Sequence, residues 1–159
     1  MSIVLLRVDE RLIHGQVVIG WGNQLRPERY VIADDELADS EWEQDLFRLG
    51  AGSAEVVFVT PDVARDRLSE WDQDPLRTIL LTRDIPAMAR LGAHAALSGR
   101  SINLGGIHHG PGRDEVLTYL HLSDQDRNDL RALADSGAAI SARDLPDAHK
   151  VSLATLLGS

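Results

Sequence analysis

The sequence contains no cysteine. That excludes disulfides, a thiolate nucleophile and a cysteine-ligated metal, and it sets the expectation of a reducing, cytoplasmic setting. Lysine is nearly absent as well: Lys150 is the one lysine among 16 basic residues. Any clamp for a phosphate or carboxylate must therefore use arginine or backbone amides. Positive charge is in deficit, with a formal net charge of −9, which argues against a nucleic-acid-binding surface. No apolar run approaches the roughly 18 residues that span a bilayer, and no cationic stretch precedes the apolar N-terminus. A nucleophile elbow, a Walker-type loop and a set of metal ligands at fixed spacing are missing too. Their absence disfavours a hydrolase or kinase, and no metal and no cofactor are expected.

What is present is a chain of 159 residues, 43% hydrophobic, enough for one domain over residues 1–159. Strand-like runs fall at Ile3–Arg7, Tyr30–Ala33, Glu55–Thr60, Thr78–Thr82, Ser101–Leu104, Val116–Leu122 and Ala138–Ala142. Helical patterns lie between and after them, at Gln16–Leu25, Glu36–Leu49, Asp62–Trp71, Ile85–Leu91, Asp124–Asp135 and Ala148–Leu157. Ser123, Asp34 and Pro61-Asp62 supply start signals for three of these helices. The alternation predicts an α/β fold: an open, mostly parallel twisted sheet of about seven strands with helices on both faces. The first strand reads as an unbroken apolar run, which suits a strand inside the sheet rather than at its edge.

The stretch RVDERLIHGQV, Arg7 to Val17, leaves the carboxyl end of that first strand. In open α/β sheets ligands bind at that end. His14-Gly15 then opens the following helix, where free backbone amides and the positive end of the dipole favour an anion. An imidazole there keeps its lone pair for attack, and Arg11 can grip the same anion with its planar fork. A plainer reading stays open at this point: a histidine in such a turn often caps a helix or bonds a carbonyl. The glycine-rich loop Gly105–Gly112, with His108 and His109, breaks the regular beat of the chain. It also follows an expected parallel strand, so it should approach the Val8–His14 loop at the same end of the sheet.

RVDERLIHGQV, followed by Trp21, resembles the active-site stretch of the mannose/fructose/sorbose-family IIB component of the bacterial phosphoenolpyruvate-dependent sugar phosphotransferase system. That family usually reads Arg-x-Asp-Asp-Arg-Leu-Ile-His-Gly-Gln-Val, and Glu10 stands here in place of the second Asp. INLGGIHHGPGR and LSDQDRNDLRALADSGAAISARDLP resemble the family's glycine loop and its closing helix, strand and proline, so the likeness spans nearly the whole chain. It implies that His14 is the phosphohistidine, modified at Nδ1, with Arg11 and Asp9 as its catalytic neighbours. Gly15 and Gln16, at the helix start, are the candidate phosphate-binding residues, and the location of the glycine loop beside the first loop makes Gly105, Gly106 and His108 candidates for a place behind the site or on a partner-facing loop. The implied partners are a phosphorylated IIA donor, the IIC and IID membrane components and a sugar, with the protein cytoplasmic and peripherally attached to the transporter. Homodimer formation is left open. So is a regulatory module on the same scaffold, phosphorylated by IIA but serving no transport.

Other candidates read more plainly. His108 and His109 depart from the family's usual Met followed by a basic or aromatic residue. As neighbours on an extended loop they point apart and lack a third ligand, so a solvent-facing or partner-facing loop is favoured over a metal site. The acidic run from Asp34 to Asp45 reads as helix capping and a solvated face rather than a Mg²⁺ site. Trp21 is expected to pack on the inner face of the first helix. Trp42, Trp71, His94, His121 and His149 carry no arranged neighbours.

Overall fold

The computed structural model describes residues 2–158. Nine strands occur among them: β1 (Ile3–Val8), β2 (Arg29–Ala33), β3 (Glu55–Val59), β4 (Thr78–Thr82), β5 (Ser101–Leu104), β6 (Asp114–Leu117), β7 (Leu120–Leu122), β8 (Ala139–Ala142) and β9 (Val151–Ser152). Seven form one sheet in the order β3-β2-β4-β1-β5-β8-β9. All its pairings are parallel except that of β8 with β9. β1 lies between β4 and β5, inside the sheet as its apolar run predicts. The chain leaves β1 towards β2 and leaves β5 towards β8, on opposite sides, so the loops after β1 and β5 flank a crevice where strand order reverses.

Helices cover both faces. The helical stretch after β1 and the pair α2 (Asp35–Ala38) and α3 (Glu41–Gly50) cover one side, over Leu12, Val17, Tyr30, Ile32, Leu37, Ile79 and Leu81. On the other side α4 (Pro61–Gln73), α5 (Ile85–Leu91), α6 (Asp124–Asp135) and α7 (Leu153–Leu157) bury Leu68, Trp71, Met88, Leu91, Leu130 and Leu156 against the sheet. Full burial of β2 and β4 explains their lack of alternation: every side chain meets a helix layer.

Four sequence expectations change. The run Val116–Leu122 is two strands, β6 and β7, paired as an antiparallel ribbon outside the main sheet. Its turn is Thr118-Tyr119, which carries none of the glycine, asparagine or proline that marks a hairpin, so periodicity alone merges the two. The helix expected at Glu36–Leu49 breaks at Asp39-Ser40, where the Gln44 side-chain amide donates to the Leu37 carbonyl at 2.7 Å and ends α2. The helix expected at Gln16–Leu25 begins as π-helix over Gln16–Trp21 and tightens only in α1 (Gly22–Leu25). The last expected helix, Ala148–Leu157, gives its first part to β9, and only α7 is helical.

Candidate functional site

Two buried charges stand at the carboxyl end of β1, Arg7 within the strand and Asp9 just beyond it, both fully shielded from solvent. Such burial requires partners on every side. The Arg7 guanidinium donates to Asp9 Oδ2 at 3.0 Å, to the Arg143 carbonyl at 2.8 Å, to the Asp144 carbonyl at 3.1 Å, and to Asn103 Oδ1. Its carbon lies 5.3 Å from the centroid of the Trp21 ring, and the Trp21 indole N–H donates to the same Asp144 carbonyl at 3.0 Å. Arg7 thus ties β1 to β5, to the chain beyond β8 and to the first helical turn. Sequence reading gave it no role beyond membership of a charged stretch; an arginine closing an apolar strand run was the available signal. Trp21 packs inward as expected and adds this hydrogen bond.

Beyond Val8 the chain turns sharply. The Leu12 N–H donates to the Asp9 carbonyl at 2.9 Å, and Leu12 itself is buried with φ +58°, a left-handed conformation that a branched side chain adopts only under constraint from its surroundings. The turn folds the loop back on Asp9. Asp9 Oδ1 accepts the Arg11 backbone N–H at 3.1 Å and lies 3.4 Å from Arg11 Nε, while Asp9 Oδ2 lies 3.1 Å from His14 Nε2. That last separation is of hydrogen-bonding length, with the ring N–H off good alignment to the oxygen. Burial by itself would raise the Asp9 carboxyl. The proton of His14 and the charge of Arg7 outweigh it and hold Asp9 well below the usual carboxylate range.

A carboxylate facing Nε2 fixes the proton on that nitrogen. The other ring nitrogen, Nδ1, accepts the Gln16 backbone N–H at 3.3 Å, so it holds the lone pair. Gly15 caps the helical stretch and is exposed, and nothing crowds the position of its missing Cβ. His14 is half-buried, with Nδ1 among the first amides of that stretch. Arg11 is exposed, and its Nη2 donates to the Gln16 side-chain oxygen at 2.7 Å. An incoming anion at Nδ1 would meet the Gln16 N–H and a guanidinium already at hand.

The glycine loop comes to the same place. The Glu10 N–H donates to the Gly106 carbonyl at 2.8 Å and the Gly105 N–H to the Val8 carbonyl at 2.7 Å. A Cβ on Gly105 would overlap the Arg7 guanidinium, and one on Gly106 would stand 3.3 Å from Arg11 Nη2. Both glycines therefore pack on arginines of the site rather than on His14. The His108 backbone N–H reaches Glu10 Oε2 at 3.0 Å, a contact the sequence did not suggest. His109 turns away, its ring edge-on to His121 with centroids 5.8 Å apart. Among the described residues no three His, Cys, Asp or Glu side chains converge as a metal site. No helix among them is long and apolar enough to cross a membrane.

Comparison with known proteins agrees with this architecture. Residues 3–159 match the family described as the PTS system sorbose subfamily IIB component. The sorbose-specific EIIB component of Klebsiella pneumoniae is 30% identical over 148 residues, covering 90% of this chain and 87% of that one. The N-acetylgalactosamine-specific IIB component 1 of Escherichia coli is 26% identical over 151 residues, 94% of each chain. The crystal structure of manxB from Thermoanaerobacter tengcongensis superposes with a TM-score of 0.84 at 28% identity, covering 99% of this chain and 95% of that one.

Proposed function

The chain belongs to the sorbose subfamily of phosphotransferase-system IIB components, a family of phosphotransferases in sugar uptake, and from that premise we propose that it carries the phosphoryl group on His14 Nδ1. The donor in this reading is the phosphohistidine of a IIA protein. The Nδ1 lone pair attacks its phosphorus, the donor's nitrogen–phosphorus bond breaks, and the electron pair returns to the donor imidazole. Attack by a ring already protonated at Nε2 leaves the His14 imidazole cationic. Asp9, buried beside Nε2, stabilises that charge and keeps the proton from moving to Nδ1. Attack frees the Gln16 N–H from Nδ1, and the phosphoryl oxygens take that N–H together with the Arg11 guanidinium, which rests on the Gln16 side chain.

Delivery is the reverse step. A sugar hydroxyl oxygen attacks phosphorus, the bond to Nδ1 breaks with its electron pair returning to the ring, and the hydroxyl proton is given up to solvent. The sugar is held by the IIC and IID membrane components, with this protein cytoplasmic and docked peripherally on them. Relatives named for sorbose and for N-acetylgalactosamine match at 30% and 26% identity, which supports reading the acceptor as a hexose or hexose derivative. The observation that carries the reading is the pairing of Nε2 with Asp9 and of Nδ1 with a helix-start amide.

The test is labelling with phosphoenolpyruvate, the general phosphotransferase proteins and a IIA partner. The protein should gain one phosphoryl group that is acid-labile and stable to alkali, as a nitrogen–phosphorus bond requires. His14→Ala should abolish it, and His108→Ala and His109→Ala should still take label. Label retained by His14→Ala overturns the assignment.

A further inference from the structure

One carboxylate at the site has no part in the proposed transfer. Glu10 stands between Asp9 and Arg11, yet its side chain contacts the other loop. Glu10 Oε2 accepts the His108 backbone N–H at 3.0 Å and also pairs with the His108 ring at Nδ1. Glu10 Oε1 lies 3.8 Å from the Arg113 guanidinium, which itself donates to the His108 carbonyl at 3.2 Å. Three contacts on one carboxylate form a network, where an isolated surface pair would count for little.

The segment so fastened needs fastening. It contains Gly105, Gly106, Gly110 and Gly112, the last with φ +73°, and glycine gives up more backbone freedom on ordering than any other residue. Burial orders its inner end, where Gly105, Gly106 and Ile107 are buried, but supplies little order beyond them, since the His108 side chain is 68% exposed. Gly106 nevertheless forms the surface on which the Arg11 guanidinium rests.

We propose that Glu10 is a positioning residue for phosphoryl acceptance: by holding His108 and Arg113 it pins the outer arm of the glycine loop, residues 108–113, and so steadies the Gly106 backbone against which the Arg11 guanidinium packs. The proposal rests on His14 as the acceptor. Freed from Glu10, the outer arm would swing on its glycines, and the Gly106 wall beside Arg11 would be left to its own backbone bonds.

Phosphoramidate, a small nitrogen-linked phosphoryl donor, tests this on the full chain without docking of a donor protein. Its phosphorus–nitrogen bond breaks, ammonia leaves with a proton from solvent, and the bond to Nδ1 forms. Glu10→Ala should lower the saturating rate about tenfold with little change in half-saturating phosphoramidate, because orientation rather than binding is lost. Glu10→Gln should stay within about threefold of wild type, since its amide oxygen still accepts the His108 N–H. Amide hydrogen exchange over residues 108–113 should quicken in Glu10→Ala. Wild-type rates in Glu10→Ala, equal loss in both variants, or unchanged exchange would overturn the proposal. Absence of label in the wild-type chain would instead overturn the assignment of His14.

Discussion

Asp9 touches Arg7, Arg11 and His14 at once, and each contact asks something different of it. Arg7 needs a buried counter-ion, Arg11 an anchor, and His14 an acceptor that fixes its proton. Asp9→Asn keeps the shape and removes the charge. Removing one partner of a buried pair leaves the other uncompensated, so stability should fall by about 3 kcal/mol, read as a lower urea midpoint. The asparagine amide can also present N–H to Nε2, which favours the tautomer with Nδ1 protonated and blocks attack. Phosphoryl acceptance should therefore drop on the order of a hundredfold or more, the kind of loss a wrong tautomer causes. The pH dependence follows from the sign of the Asp9 shift. Its folded-state value is depressed, so its stabilisation is in place above the unfolded value near pH 4 and is lost as pH falls towards the folded one. Acid unfolding of the wild type should steepen below about pH 4, and Asp9→Asn should flatten that limb. An unchanged acid limb in Asp9→Asn would show that Asp9 is not a principal acid-sensitive group.

Elements position these residues by close backbone approach. β1 and β5 are adjacent parallel strands, with Val8 opposite Leu104, so the loops that follow start side by side. Gly105 is the point of closest contact, because a side chain there would occupy the space of the Arg7 guanidinium. Gly105→Ala should cost about 1–3 kcal/mol, the usual cost of overpacking a filled site, and it should lower the melting temperature. It should also slow acceptance, since displacing Arg7 disturbs the partner of Asp9. A melting temperature equal to wild type would mean that the β5 loop yields without strain. The π-helical stretch Gln16–Trp21 packs closely as well: a Cβ on Gly20 would stand 2.6 Å from Leu145 Cδ2. Together with the Trp21 bond to the Asp144 carbonyl, this sets the helix start, and hence the Gln16 N–H, against His14.

Across the whole molecule, order should be graded from the middle of the sheet outwards. β2 and β4 are buried at every residue, whereas β6 is exposed or half-buried throughout. Amide hydrogens of β2, β4 and β1 should exchange most slowly, and those of the β6–β7 ribbon should exchange well before them, because fewer buried contacts oppose local opening. Equal protection throughout would mean that the ribbon unfolds only with the core. Much of this architecture was legible in the sequence because it is written locally. Alternating apolar runs, caps such as Ser123 and Asp34, and the unbroken β1 run specify parallel strands covered on both faces without knowledge of any long-range contact. RVDERLIHGQV placed His14, Arg11 and Asp9 at a strand end by the same local logic. The break at Asp39-Ser40 was signalled locally by two turn-forming residues inside an otherwise helical pattern. The turn at Thr118-Tyr119 escaped because a tertiary contact, the Ile107 N–H on the Tyr119 carbonyl, marks it rather than a turn-forming residue type. The same holds for the partners at the site. That Arg7 is buried among Asn103, Asp144 and Trp21, and that Glu10 meets His108 and Arg113, both depend on which strands lie side by side. Local sequence determined the strands, the loops and the kinds of group they carry. Only the sheet order, through contacts between residues roughly a hundred positions apart, decided which of those groups meet.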